Sequence, residues 1–397
     1  MQRHCKYVQN DMIKREIAEK LKNVAEKFQV TAVFGPRQVG KTTLVKSVFD
    51  NYTYKNLEDP SEREFAENDP KSFLKSAIKG LIIDEVQRVP NIFSHIQVFV
   101  DSNREAKIIL TGSQNYLLLE KVTQSLSGRI FILQLSPFSM KELRFTESFN
   151  DPLVFIFNGF FPPIYDRRIS VTDWMPNYIQ TYLERDLRQI KNITDLSSFL
   201  KFLKLSAGRT GQILNISSIA SDAGISVNTA KAWFSILETG YLINFLRPYY
   251  KNFNKRLIKS PKLYFVDTGL SSSILDIKNK EQLETHYLRG ALFENLILNE
   301  IFKYFLNKGE RPQLFYWRDN HGNEIDCIFE LNGQIIALEF KAGQTISKDY
   351  FKGLNYFEKI VNGEKLIKYV VYGGNERQDR KDGIALPWFD WEQIFSE

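Results

Sequence analysis

The stretch Gly35-Pro-Arg-Gln-Val-Gly-Lys-Thr42 has the form GxxxxGKT, and the rest of the chain is organised around it. Before it, the β-branched and aromatic run FQVTAVF (residues 28–34) reads as a buried strand; after it, TTLVKSVF reads as a helix. A triphosphate needs several backbone N–H donors converging on its β-phosphate. Glycines at the loop's ends, Gly35 and Gly40, let the backbone curl and approach that closely. The N-terminus of the following helix adds unpaired N–H groups and its positive dipole end. Lys41 is then expected to reach the β- and γ-phosphates and the Thr42 hydroxyl to ligate Mg²⁺. The nucleotide-binding set is Gly35, Pro36, Arg37, Gln38, Val39, Gly40, Lys41, Thr42 and Thr43.

With 397 residues, 43% hydrophobic and 25% charged, the chain has the composition of a globular protein of two to four domains. A net charge of +6 and a pI near 8.9 allow nucleic-acid contact without demanding it. Two cysteines far apart, Cys5 and Cys327, make neither a disulfide framework nor a zinc cluster and suggest a reducing compartment. The N-terminus lacks the apolar core of a signal peptide, and the longest greasy stretch, Leu153–Phe161, is too short for a membrane span. A cytoplasmic location is expected, with no membrane partner.

Ile13, Ile17, Leu21, Val24 and Phe28 recur at helical spacing and predict an amphipathic helix over 11–27 packed on the ATPase sheet; Asp69-Pro70 reads as a helix start. The apolar run Gly80-Leu-Ile-Ile-Asp84-Glu85 has the form of a central parallel strand whose C-terminal end delivers carboxylates beside the phosphate loop. Asp84 is expected to hold Mg²⁺ through water and Glu85 to act as general base on the attacking water. A further strand, AKIILTGSQ, ends in hydroxyls suited to sensing the γ-phosphate, with Ser113 the first choice and Thr111 the second. Arg129 is a candidate for stabilising transition-state charge, within the chain or in a neighbouring subunit of a homo-oligomer. Absence of an NKxD guanine-reading motif favours ATP.

Together GPRQVGKTTLVK, LIIDEVQRVPNIF, IILTGSQ and SLSGRIFILQLSPFSMKEL resemble the bacterial and archaeal AAA-type ATPases that carry a C-terminal domain of unassigned function. YIQTYLERDL, KRLIKSPKLYFVDTGL and GALFENLILNEI resemble the second half of that family. The resemblance implies an ATPase core, a winged-helix region and a nuclease-like end.

Residues 174–206 read as helical, capped by Asp173 and with Ile179, Leu183, Leu187 and Ile190 on one face, and are expected to close as a lid over the nucleotide. Residues 214–237 fit a helix-turn-helix: Ser217 and Ser226 stand where N-caps are needed, Ala220 is small where helices cross, and Gly224 supplies the turn. Between Arg247 and Lys262 six basic residues and no acid are interleaved with Tyr249, Tyr250 and Phe253, which suits a wing lying along a phosphate backbone. Lys231, Lys251, Lys255 and Arg256 are the candidate DNA contacts; a protein-protein joint is the other use of such a module.

In the last third, Glu294 lies in an apolar helical run, Asp326 in NEIDCIF, and Glu339 and Lys341 in IIALEFK. This resembles the PD-(D/E)XK nuclease core, which implies Mg²⁺ at Glu294, Asp326 and Glu339 and a charge-neutralising or water-orienting Lys341. Ile325 stands where that pattern has proline. Glu339 and Lys341 alternate onto one face of a strand, where a plain salt bridge is the other reading.

The expected architecture is α/β: a P-loop NTPase domain with a parallel sheet (1–145), a helical lid (146–206), a winged helix-turn-helix (207–270) and a restriction-endonuclease-like domain (271–397). The expected function is ATP hydrolysis coupled to nucleic-acid engagement, with Mg²⁺-dependent cleavage as one use of the C-terminal end. An ATP-dependent switch that binds DNA or protein without cutting is the alternative.

Overall fold

The computed structural model describes residues 12–113, 126–144, 150–182, 195–249, 260–361 and 363–396. Two compact units separate: Met1–Glu147 with Phe161–Ser170 and Asn307–Gly309, and Ser148–Phe160 with Val171–Leu306 and Glu310–Glu397.

The first unit is built on five parallel strands, β1 (Val30–Phe34), β2 (Thr53–Asn56), β3 (Leu81–Asp84), β4 (Ile108–Gly112) and β5 (Ile130–Gln134), in the order β2-β3-β4-β1-β5. Every residue of β1, β3 and β4 is buried. Burial on both faces explains why these strands read as continuous apolar runs rather than alternating ones. The helix expected over 11–27 begins at Ile17 and runs to Lys27, so Ile13 precedes it; Ile17, Leu21 and Val24 are buried, as their spacing predicts. Asp69 caps helix Pro70–Leu74, accepting from the Ser72 N–H.

The second unit carries a mixed sheet of β6 (Ile243–Pro248), β7 (Lys262–Phe265), β8 (Phe315–Arg318), β9 (Glu324–Leu331), β10 (Gln334–Lys341), β11 (Leu366–Tyr372), β12 (Gln378–Arg380) and β13 (Gly383–Pro387). Their order is β12-β13-β11-β10-β9-β8-β6-β7. β9 and β10 form a hairpin closed by Asn332 and Gly333, both at positive φ (50° and 74°), the geometry of a two-residue turn whose twist matches the strands. β10 then runs parallel to β11, with helix Lys352–Ile360 between them in sequence.

Several expected helix boundaries shift. The helix expected from 174 starts at Val171, so Asp173 lies in its first turn instead of capping it, and the helix runs to Tyr182. Leu183, Leu187 and Ile190 lie outside the described residues, and a second helix spans Leu196–Ala207. Both helices belong to the second unit. The pair Ile216–Ala223 and Val227–Thr239 is joined through Gly224, at φ 75° with open space around a hypothetical Cβ, so the left-handed backbone is what calls for glycine there. Ser226 caps the second helix, but Asn215, not Ser217, caps the first: its side chain accepts from the Ser218 N–H.

Candidate nucleotide site and a second acidic centre

The phosphate loop follows β1 and leads into helix Lys41–Val48. A Cβ on Gly35 would fall 2.1 Å from the Leu135 carbonyl oxygen, and Gly40 takes a left-handed φ of 90°. Each glycine is thus required, one for close approach and one for its torsion. Lys41 is buried and donates to the carbonyls of Gly35 (3.0 Å) and Pro36 (2.7 Å), folding back over its own loop. The Thr42 hydroxyl donates to Asp84 Oδ2 at 2.7 Å, across 42 residues of sequence.

β4 separates the strand that carries the loop from β3, which carries the acids. Its Thr111 is fully buried and donates to Asp84 Oδ1, while the Tyr54 hydroxyl donates to Asp84 Oδ2 at 2.7 Å. Burial and the Asp84 charge push the Tyr54 phenol far up. Glu85 sits at φ 55°, a left-handed backbone rare for a side-chain-bearing residue, directly after the last residue of β3. Gln87 donates from one amide to both Glu85 and Ser113, the latter at 3.2 Å. Ser113 and Glu85 therefore stand together, whereas Thr111 is committed to Asp84.

Arg15 holds this loop in place. Its buried guanidinium donates to the Val39 carbonyl (2.7 Å), the Ser136 carbonyl (2.6 Å) and Glu142 Oε1 (3.0 Å), and stacks over Phe138 at 4.9 Å. Glu142 also closes a capping box with Ser139. Arg129, by contrast, precedes β5, and the register Val30↔Ile130 sets it at the N-terminal edge of the sheet, about 16 Å along the strands from the loop. There it pairs with Asp101, Nη2 to Oδ2 at 3.0 Å. An in-chain role for Arg129 on the phosphate is therefore corrected by topology.

Mg²⁺ fits the donors of this site. Thr42 and Asp84 bring together two hard oxygens of the kind that would hold it.

The second unit gathers its own acids. The Lys262 ammonium, 2% exposed, lies 3.0 Å from Glu294 Oε1, bonds Glu324 Oε1, and lies 3.6 Å from Asp326 Oδ1. The Tyr264 hydroxyl donates to the same Glu294 oxygen. Asp326 Oδ2 accepts from the Phe340 N–H at 2.8 Å, and Lys341 pairs with Glu339. Burial first, and then the neighbouring Asp326 charge, raise Glu294 to about 7 and Glu339 to about 8. The residues expected from sequence do come together, yet the set does not fit a divalent ion as it stands, because a buried ammonium is already inside it. Among the described residues no group of three or more His, Cys, Asp or Glu side chains is arranged to hold a metal ion.

The AAA domain family model matches residues 27–144, the stretch holding the loop, Asp84, Glu85 and Ser113. The chain carries an N-terminal AAA-type P-loop domain. Downstream of the AAA domain, two families described as domains of unknown function, DUF8612 and DUF4143, match residues 153–281 and 289–391. An uncharacterized protein of Mycobacterium tuberculosis is 28% identical over 381 residues, covering 94% of this chain and 83% of the relative; one of Mycobacterium bovis gives the same figures. Among solved structures, a Walker-type ATPase of Pyrococcus abyssi matches with 15% identity and a TM-score of 0.48, over 70% of this chain and 99% of that one.

Outside the AAA domain, Lys231 is exposed on helix Val227–Thr239, while Lys251, Lys255 and Arg256 lie outside the described residues. Tyr249 is buried, and its hydroxyl donates to Glu330 at 3.0 Å, so it packs the sheet and is not available to stack on a base. Within the first unit, sequence reasoning missed Arg15, Tyr54 and Gln87; in the second unit it missed Lys262, Tyr264 and Glu324 as members of the acidic centre. Gln87 had a local signal, two residues after Glu85. The others are joined to their sites only by strand register and helix packing. No helix among the described residues is long and apolar enough to cross a membrane.

Proposed function

We propose that the chain hydrolyses ATP and uses turnover to set nucleic-acid engagement by its second unit. The observation that carries the first half is the meeting of Thr42 and Asp84 at 2.7 Å beside a glycine loop whose lysine is buried in it. Lys41 exchanges two carbonyls for the β- and γ-phosphates, a charge-assisted replacement for neutral acceptors. Glu85 is the general base, and Ser113, sharing the Gln87 amide with it, is the γ-phosphate sensor. When Mg²⁺ is bound, it neutralises charge on the β- and γ-phosphate oxygens.

The second half of the reading draws on the helix pair around Gly224, followed by the antiparallel pair β6 and β7, which is the element order of a winged helix. Exposed Lys231 and Arg247 and the basic run after Arg247 give it the charge to follow a phosphate backbone. Helix Arg289–Asn307, β8, β9, β10, helix Lys352–Ile360 and β11 follow in the α-β-β-β-α-β order that supports an endonuclease-like core. A fold of that kind can bind without cutting.

The test measures ATP turnover and DNA affinity of the purified chain across nucleotide states. Wild type is expected to hydrolyse ATP, Lys41→Ala to bind it far more weakly, and DNA affinity to differ between ATP-bound Glu85→Gln and the nucleotide-free protein. Equal affinity in both states would break the coupling. Undiminished turnover in Glu85→Gln would remove the assignment of the base.

A further inference from the structure

Lys262 is an unusual residue to find where it is. It opens β7, directly after the basic run that begins at Arg247, and its side chain is 2% exposed. Burying an ammonium in a protein interior is strongly unfavourable unless it is paired and hydrogen-bonded. Here it is met by Glu294 from helix Arg289–Asn307 and by Glu324 and Asp326 from β9, two residues apart and so on one face of that strand. The ring of Tyr316 lies 5.7 Å from the same ammonium.

The rest of the cluster is also supplied from within the chain. Arg318 donates to Glu324 at 2.9 Å, the Phe340 N–H to Asp326, Tyr264 to Glu294, and Lys341 to Glu339. Four carboxylates thus face three side-chain cations. A Mg²⁺ ion ligated by Asp326 and Glu294 at about 2.1 Å would place two positive charges within a few ångströms of the ammonium, in a medium that screens poorly. The ion and the lysine are competitors for one place.

We propose that Lys262 is the resident cation of this centre: its ammonium stands where an endonuclease-like fold would place a divalent ion, and the second unit holds its acids together without metal. The unit then works as a metal-independent binding body. Lys262 also joins β7 to β9 and to helix Arg289–Asn307, so the segment that follows the basic run is anchored on the acidic centre.

The test is Mn²⁺ binding to the full chain without nucleotide, followed by electron paramagnetic resonance, for wild type, Asp326→Asn, Lys262→Met and the Lys262→Met/Asp326→Asn pair. Wild type and Asp326→Asn are expected to give the same titration, since no ion enters the cluster in either. Lys262→Met is expected to gain one bound Mn²⁺, lost again in the double variant. A wild-type Mn²⁺ site abolished by Asp326→Asn would overturn the proposal, and that comparison stands even if Lys262→Met does not fold. A folded Lys262→Met that gains no ion would overturn it as well.

Discussion

Each unit of this chain brings a lysine, carboxylates and hydroxyls together at one end of a sheet, and the two units treat them in opposite ways. In the AAA domain Asp84 is approached by the uncharged donors Thr42, Tyr54 and Thr111, and its lysine rests on two neutral carbonyls of its own loop. In the second unit Lys262 is clasped by three carboxylates. Among the described residues the first arrangement meets its acid with uncharged donors alone and leaves that negative charge without a cation. The second already holds cations against its acids. Residue types alone do not distinguish a site from a joint; what differs is whether the acids are already met by a cation.

Removing the two lysines is the strongest way to break that contrast. Lys41→Ala is expected to weaken ATP binding by about a hundredfold or more, because a charged donor to phosphate is lost, whereas Lys262→Met should leave nucleotide affinity within about twofold. Equilibrium binding of a fluorescent ATP analogue reads both; similar losses in the two variants would erase the distinction. Next in size, Glu85→Gln should lower turnover by about 10²- to 10⁴-fold while nucleotide affinity stays near wild type, as expected for loss of a general base. Single-turnover hydrolysis separates the two effects. Arg15→Ala should then destabilise the first unit by about 3 kcal/mol in denaturant unfolding, since it strands buried Glu142 and two carbonyls. Arg15→Lys should recover only part of this, because an ammonium cannot reproduce the planar fork.

The smallest effect concerns pH. Glu294 and Glu339 are raised from 4.5 to about 7 and about 8 in the folded chain, so between those limits the native state holds more protons than the unfolded one. Stability contributed by their protonated forms is present at low pH and is lost as pH rises from about 4.5 through about 8. The unfolding midpoint of the second unit is expected to fall over that window, and Glu339→Gln should flatten the fall. A midpoint that climbs with pH would show these carboxyls to be stabilised as anions.

Local chemistry was legible in the sequence and long-range register was not. The glycine loop, the strand ending in Asp84-Glu85 and the Gly224 turn declare themselves because their residue types answer to backbone geometry within a few positions. Arg129 shows the limit. Its place after a glycine looked suited to phosphate, but only the pairing of β5 with β1 reveals that it stands at the wrong edge of the sheet. Lys262 was legible merely as one charge of a basic run; nothing in its neighbours foretells that β7 turns it inward onto acids 32 to 64 residues away. The cap of helix Ile216–Ala223 moved from Ser217 to Asn215 for a smaller reason, since both residue types serve and the choice falls to where the first turn begins.

The guanidinium of Arg15 touches three stretches that are distant in sequence: the phosphate loop at Val39, the end of β5 at Ser136, and the short helix that begins at Met140 through Glu142. It works as a rivet. A loop fastened this way is already folded when nucleotide arrives, so little chain entropy remains to be lost on binding and the heat-capacity change should reflect the ligand's own buried surface, with no contribution from ordering the loop.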